Sequence, residues 1–195
     1  TSKVFEHDGR LQLVSPASVA TISYDPLTGE ELWKVYHGGF NAAARPLFHQ
    51  GKVIINLEGG LRLLAVRPDG VGNVTDTHIE WVCRKRTPTR PSQLAIDTHL
   101  FMINDKGIVS CISLDDGKPV WTHRIGGAYS ASPIHAAGRI YLLDEERSAH
   151  VIAANPEAFE LLATNQLDNG CMASPAVVDH ALIVRTKTHL YRIEQ

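Results

Sequence analysis

With 195 residues, 44% of them hydrophobic, the chain is long enough to bury a sizeable core. A formal net charge of -2 with scattered Lys and Arg gives no broad basic field, which argues against duplex nucleic acid and anionic membrane as partners. Its apolar stretches are strand-sized and broken by Gly, His or charge, so no transmembrane helix or signal-peptide core is read; the Thr1 start without Met reads as trimming and leaves the compartment open.

One phrase recurs along the chain: a small residue beside Pro, Gly with an apolar run, a short turn, a second apolar run, a tight polar turn, then Trp. Its clearest copies are ASVATISYDPLTGEELW at 17–33 and GIVSCISLDDGKPVW at 107–121. A period of about 40 residues built from short strands signals stacked units, and the fold class expected is all-β, a β-propeller of four-stranded antiparallel blades. The whole chain, 1–195, reads as one propeller domain with about five blades at 1–38, 39–86, 87–126, 127–167 and 168–195.

In the first unit, strands are expected at 10–14, 19–24 and 32–36, from period-two alternation. They flank the turn Asp25-Pro26-Leu27-Thr28-Gly29, which is structural. The second unit has strands at 52–57, 61–67 and 79–83, and its last turn is expanded to PDGVGNVTDTH, an insertion of the kind a surface loop tolerates. The third has strands at 94–96, 100–104, 108–113 and 120–124, with a hairpin signal at Asp115-Asp116-Gly117-Lys118. The fourth has strands at 140–143 and 150–154 and closes without Trp, so Leu161 is expected in the anchoring place. The fifth stops after three strands, one outer strand short. Trp33, Trp81 and Trp121 are read as docking residues that fill the wedge between neighbouring blades.

Cys83, Cys111 and Cys171 match neither a disulfide framework nor a zinc spacing and read as small apolar strand positions. The ten histidines are spread over every unit with no HxxxH or HExxH pair, so no metal centre is expected. Asp144, Glu145 and Glu146 are adjacent, and three carboxylates from one strand end cannot all point at a Ca²⁺ ion. No GxGxxG loop, kinase signature or GxSxG elbow occurs, and no catalytic residue is assigned.

In a blade whose strands run outward from the axis, the loops between blades and those joining the second to the third strand share one face. That face carries HGGFNAAAR, RKRTPTR, GGAYSAS and LDNGCMAS, a mixture of Gly, Asn, aromatic and Arg suited to a polar ligand or a protein segment. The candidate ligand contacts are His37, Phe40, Asn41, Arg45, Arg84, Arg86, Arg90, Tyr129, Asn169 and Met172. The run Arg84, Lys85, Arg86 with Arg90 reads either as a solvated rim or as a site for an anion or acidic partner.

The pattern from Ser23 through Asp25, Thr28 and Gly29 to Trp33, shortened from Leu114 through Gly117 to Trp121, resembles the tryptophan-docking repeat of quinoprotein-like β-propellers. NDKGIVSCISLDDGKPVW, GGAYSASPIHAAGRIYLLDEE and RTKTHLYRIEQ resemble the carboxy-terminal half of planctomycete-type members of this superfamily. The superfamily includes dehydrogenases that use pyrroloquinoline quinone (PQQ) and outer-membrane assembly lipoproteins that bind no quinone. The resemblance implies a ring of seven or eight blades, of which this chain is a partial arc. A closed five-bladed ring, with residues 3–6 supplying the missing strand of the last blade, is the alternative. It also implies a periplasmic or extracellular location. A non-catalytic binding or protein-interaction propeller without cofactor is the favoured function, with self-association through open blade edges. The alternatives are a PQQ- and calcium-dependent oxidoreductase, disfavoured because no adjacent cysteine pair is present, and a sensor domain attached to an enzyme such as a kinase.

Overall fold

The computed structural model describes residues 1–39, 42–57 and 62–194, and among them it contains strands, turns and loops with no helix. They form two compact units, Thr1–Thr89 and Arg90–Gln195.

In the first unit, β1 (Lys3–His7), β2 (Arg10–Pro16), β3 (Ala20–Tyr24) and β4 (Glu31–Tyr36) make an antiparallel sheet in that order. A second sheet is built from β5 (Leu47–His49), β6 (Lys52–Leu57), β7 (Arg62–Val66) and β9 (Ile79–Cys83), with β8 (Gly72–Asn73) inserted before its last strand. β1 pairs along its length with β2, Phe5 opposite Gln12, so the segment at 3–6 completes the first sheet and is not the missing strand of the last one. That pairing removes the role in closure expected of residues 3–6.

The two sheets bury one apolar cluster between them: Phe5, Val14, Trp33 and Val35 from the first, Val53, Ile55, Leu64 and Val66 from the second. Phe5 stacks on Phe48 with ring centroids 4.1 Å apart. The expanded turn does more than a tolerated loop would. β8 adds in parallel to the outer edge of β4, with Gly72 beside Trp33. Val74 donates its N–H to the Lys34 carbonyl at 2.9 Å, and its side chain enters the cluster. Pro68, from the same insertion, accepts a bond from Gln12 Nε2 at 3.0 Å. Gln12 is itself buried, and its Oε1 accepts the Trp33 indole N–H at 2.7 Å and the Ser23 hydroxyl at 3.1 Å. One amide thus satisfies two buried donors and ties the strap of the second sheet to the first, which is what a buried polar group needs to be tolerated.

The second unit has three sheets. β10 (Leu94–Ile96), β11 (His99–Ile103), β12 (Ile108–Ser113) and β13 (Pro119–Arg124) form one. β14 (Ile134–Ala136), β15 (Arg139–Leu143), β16 (Ser148–Ala153) and β17 (Leu161–Gln166) form the next. β18 (Ala176–Val178), β19 (Ala181–Arg185) and β20 (Leu190–Glu194) form the last. Phe101, Ile103, Val109 and Cys111 pack against Ile140, Leu142 and Ile152, and Leu143 packs against Val184 and Cys171.

The tryptophans hold equivalent register. Trp33 lies opposite Ser23, Trp81 opposite Ala65 and Trp121 opposite Cys111, each next to a bulge whose extra residue, Leu32, Glu80 or Val120, lies in the tryptophan's own strand. In the fourth sheet the same bulge follows Val151, and the residue opposite Val151 is Ala163. Leu161 sits two positions earlier, opposite Ile152, and is 47% exposed, so it does not take the anchoring place. The bulge separates a residue's sequence offset from its register, which corrects that expectation. Burial differs along the series: Trp33 is fully buried and Trp81 nearly so, while Trp121 is half-buried, donating its indole N–H to the Asn155 carbonyl at 3.1 Å with Phe101 and Phe159 at its edges.

Every first-to-second strand turn begins on a residue with positive φ: Asp8, Gln50, Asp97, Ala137 and Asp179. Those are the two-residue turns whose twist matches antiparallel strands. At the other end, Gly107 has φ +71° and lies so close to Gly126 that a Cβ would enter the Gly126 carbonyl.

Three outcomes follow from this packing. Trp33→Ala should cost about 3–5 kcal/mol in urea denaturation, because it leaves a cavity and removes one of the two bonds that Gln12 Oε1 accepts, and Trp121→Ala should cost clearly less. Gly107→Ala should cost more than about 2 kcal/mol, combining left-handed strain with a backbone clash. Gly138→Ala, at φ +72° with open space around it, should lose about 1–2 kcal/mol from strain alone. The three thiols are buried, and burial pushes Cys111 up to about 12, so native protein at pH 8 should show no labelling by an aromatic disulfide reagent, with three thiols released on unfolding.

Candidate ligand-binding loop face

In the second unit the loops between sheets and the turns joining second to third strands lie at one end, held by backbone bonds. Ile125 and Gly126 donate to the Gly107 carbonyl, Tyr129 to Asp105, Glu145 to Ala128, Cys171 to Asp144 and Lys187 to Gly170, at 2.8–3.2 Å. The other end is tied separately, Leu114 donating to Thr98 and Ala154 to Gly138. The alternation of strand direction separates the two sets of connections.

Each of these second-to-third turns is closed by one side chain. Asn104 Oδ1 accepts from the N–H groups of Lys106 and Ile108, Asp144 Oδ1 from Glu146, Arg147 and Ser148, and Thr186 Oγ1 from Thr188 and His189. Short polar side chains at turns do this because they can replace a backbone acceptor. Asp144 is buried in this task, and its charge adds to the burial that pushes the phenol of Tyr129 and the thiol of Cys171 upward. His150 is lowered by burial, with Asp144 opposing.

Arg90 does not stand free beside Arg84 and Arg86. Its Nε lies 3.1 Å from Asp105 Oδ1 and its Nη1 3.5 Å from Glu145 Oε1, which also accepts the Ser130 hydroxyl. Arg90 therefore bridges the turns of two neighbouring sheets, and a charge reversal there would place three carboxylates together. Tyr129 is also displaced from the expected role: it is fully buried in the core between the third and fourth sheets, and its hydroxyl has no hydrogen-bond partner among the described residues. An exposed contact is not what this side chain offers.

Asn169 is half-buried and Met172 is 57% exposed. Met172 lines a shallow cleft of about 270 Å³ with Gly170, Ala173, Arg185, Thr186 and Lys187. Arg185 and Lys187 belong to the 185–188 loop, which the sequence reading places on this face as a source of charge but not as ligand contacts. The signal available was their i, i+2 spacing across the end of a strand, which puts both on one side. Beside them Asp168 accepts from the Thr188 hydroxyl and lies 2.7 Å from His189 Nδ1, and these contacts hold its carboxyl well below the usual range.

In the first unit, His37 Nδ1 donates to the Gly38 carbonyl at 2.7 Å, so Nε2 accepts the Thr21 hydroxyl at 3.0 Å and the imidazole closes the end of the first sheet. Phe40 and Asn41 lie outside the described residues. Arg45 is exposed. Arg84, Lys85 and Arg86 are three consecutive exposed cations, and among the described residues no carboxylate pairs with them. Arg86 has φ +61°, which turns the run sharply, while buried Thr87 and Pro88 fix its base and the Pro88 carbonyl accepts Asn56 Nδ2 at 2.8 Å.

Asp144 is committed to backbone N–H groups, Asp105 to Arg90, and Asp168 to Thr188 and His189, and among the described residues no three His, Cys, Asp or Glu converge.

Comparison with solved structures places this architecture. BamB from Moraxella catarrhalis superposes with a TM-score of 0.69 at 17% identity, covering 94% of this chain and 54% of that one. The computationally designed Ika8 protein gives 0.71 at 11% identity, covering 97% and 56%. The chain thus spans a little over half the length of these structures, and the likeness is one of β-propeller fold. No curated protein sequence matches. The family profile described as outer membrane protein assembly factor BamB matches residues 21–161 and 105–194, and with those matches spanning most of its strands the chain belongs to that family of PQQ-like β-propellers.

Proposed function

We propose that the chain is a non-catalytic protein-interaction propeller whose loop face takes an acidic segment of a protein partner. The observation that carries this reading is the run Arg84, Lys85 and Arg86: three exposed cations without a carboxylate partner among the described residues, projected by a loop whose base is buried. Keeping three like charges side by side costs repulsion that an acidic partner relieves, and the preset loop lowers the ordering cost of binding. In the second unit, Arg185, Lys187 and exposed Met172 supply cations beside an apolar surface, the combination that receives an acidic residue next to a hydrophobic one. The description of the matched family, an assembly factor for outer-membrane proteins, supports a periplasmic or outer-membrane-associated setting and a protein partner.

The test is fluorescence anisotropy with labelled oligoglutamate and oligolysine peptides. Oligoglutamate should bind, weaken with added salt, and lose about tenfold or more in affinity on Arg84→Glu with Arg86→Glu. The thermal midpoint should hold, because both side chains are exposed and Glu replaces one residue at positive φ by another. Unchanged oligoglutamate binding in the double variant would overturn the reading. Tight binding of PQQ with Ca²⁺, seen by absorbance and calorimetry, would move the chain to the oxidoreductase class.

A further inference from the structure

One outer strand of this chain already carries an added strand. Parallel to the edge of β4, β8 sets Gly72 beside Trp33 and Asn73 beside Lys34, and the Lys34 carbonyl accepts the Val74 N–H at 2.9 Å. The Tyr36 N–H, further along that edge, is taken by Thr75 Oγ1 at 2.9 Å. Strand register carries this pattern to the second sheet. Trp81 holds the place of Trp33, each next to a one-residue bulge, so Val82 corresponds to Lys34 and Arg84 to Tyr36. Among the described residues β9 has no strand on its outer side, and no hydrogen bond reaches the outward backbone groups of Val82 and Arg84. Val82 is 37% exposed, and β9 runs directly into the cations Arg84, Lys85 and Arg86.

We infer, on the reading that this loop takes an acidic segment, that the segment adds as a strand parallel to β9, as β8 does on β4, with its acidic residues last. Backbone pairing to an exposed edge supplies affinity, and the side chains beside the edge supply selectivity. Facing residues of a strand pair project to the same side of the sheet, so each partner residue is chosen by its neighbour on β9. A small residue belongs beside Trp81, as Gly72 lies beside Trp33. An apolar β-branched residue belongs beside exposed Val82. Two positions on, an acidic residue meets Arg84. Acidic residues after it meet Lys85 and Arg86, where φ of +61° turns the chain and ends the pairing. Charge places the acidic residues at that end only. At the other end Glu80 is paired with Lys52 at 3.2 Å and lies 4.0 Å from Arg67, so an acidic residue there would meet a carboxylate whose cations are engaged. The partner is thus an extended segment in which a small and a β-branched residue precede a run of Asp or Glu.

The probe is a labelled peptide, TTGVTEEE, whose Gly, Val and first Glu are spaced to lie beside Trp81, Val82 and Arg84. Against the full 195-residue protein it should bind and slow hydrogen exchange at the amides of Val82 and Arg84. Methylating the backbone nitrogen of the Thr after Val removes the N–H that corresponds to that of Val74 and leaves every charge in place. Affinity should fall about tenfold or more, a test that leaves the protein untouched. The reversed peptide EEETVGTT, with the same composition and charge, should bind weaker by a similar factor. Equal binding of the methylated or the reversed peptide, or unprotected amides at Val82 and Arg84, would overturn the inference. The acidic-partner reading would still stand if Arg84→Glu with Arg86→Glu weakened all three peptides. Binding unmoved by that double variant would overturn both.

Discussion

A sheet with apolar side chains on both faces cannot be stable alone, and every other feature of this chain answers that constraint. β15 shows it most directly. Ile140 and Leu142 point into the cluster shared with the third sheet, while Leu143 points into the cluster shared with the last. Successive strand residues alternate sides, so one five-residue strand contributes to two interfaces. Stability is then a chain of nearest-neighbour contacts, as in other repeat architectures, and each wedge must be filled or remain a weak point.

The means of filling differ along the chain. Around Trp33 the wedge is sealed twice, by the indole held on Gln12 and by the strap of β8 that covers the outer edge of β4. Around Trp121 the indole needs help from Phe159 and the Asn155 carbonyl, and remains half-buried. At Ala163, which holds the same register in the fourth sheet, no large side chain is supplied. Each removed aromatic withdraws contacts that close packing would otherwise provide.

Much of this was legible in the sequence because the repeat puts the same physics at the same spacing. Alternation located the strands, the Asp-Gly and Asp-Pro turns located their ends, and Trp marked the outer strands. Register was less legible, since a bulge after Val151 shifts the outer strand by one residue and makes Leu161 look like the anchor when Ala163 holds the place. The strap was hidden because two residues, Gly72 and Asn73, carry no alternation, and their pairing is set by backbone bonds to β4. Tyr129 misled for a related reason. A loop composition suggested exposure, but the residue follows Gly126 and Gly127, whose positive φ values fold the backbone back and aim the ring into the core. Arg90 looked like part of a cationic run because ion pairs to Asp105 and Glu145 join positions far apart in sequence.

The two ends of the second unit obey different rules. At the end of the first-to-second and third-to-fourth turns, short turns with positive φ and Asx-type bonds leave little freedom. At the loop end, longer connections are fixed at their bases by backbone bonds and by Asn104, Asp144 and Thr186, so the residues between can vary without loss of the sheet. A fold of this kind can therefore change its loop ligands independently of its stability.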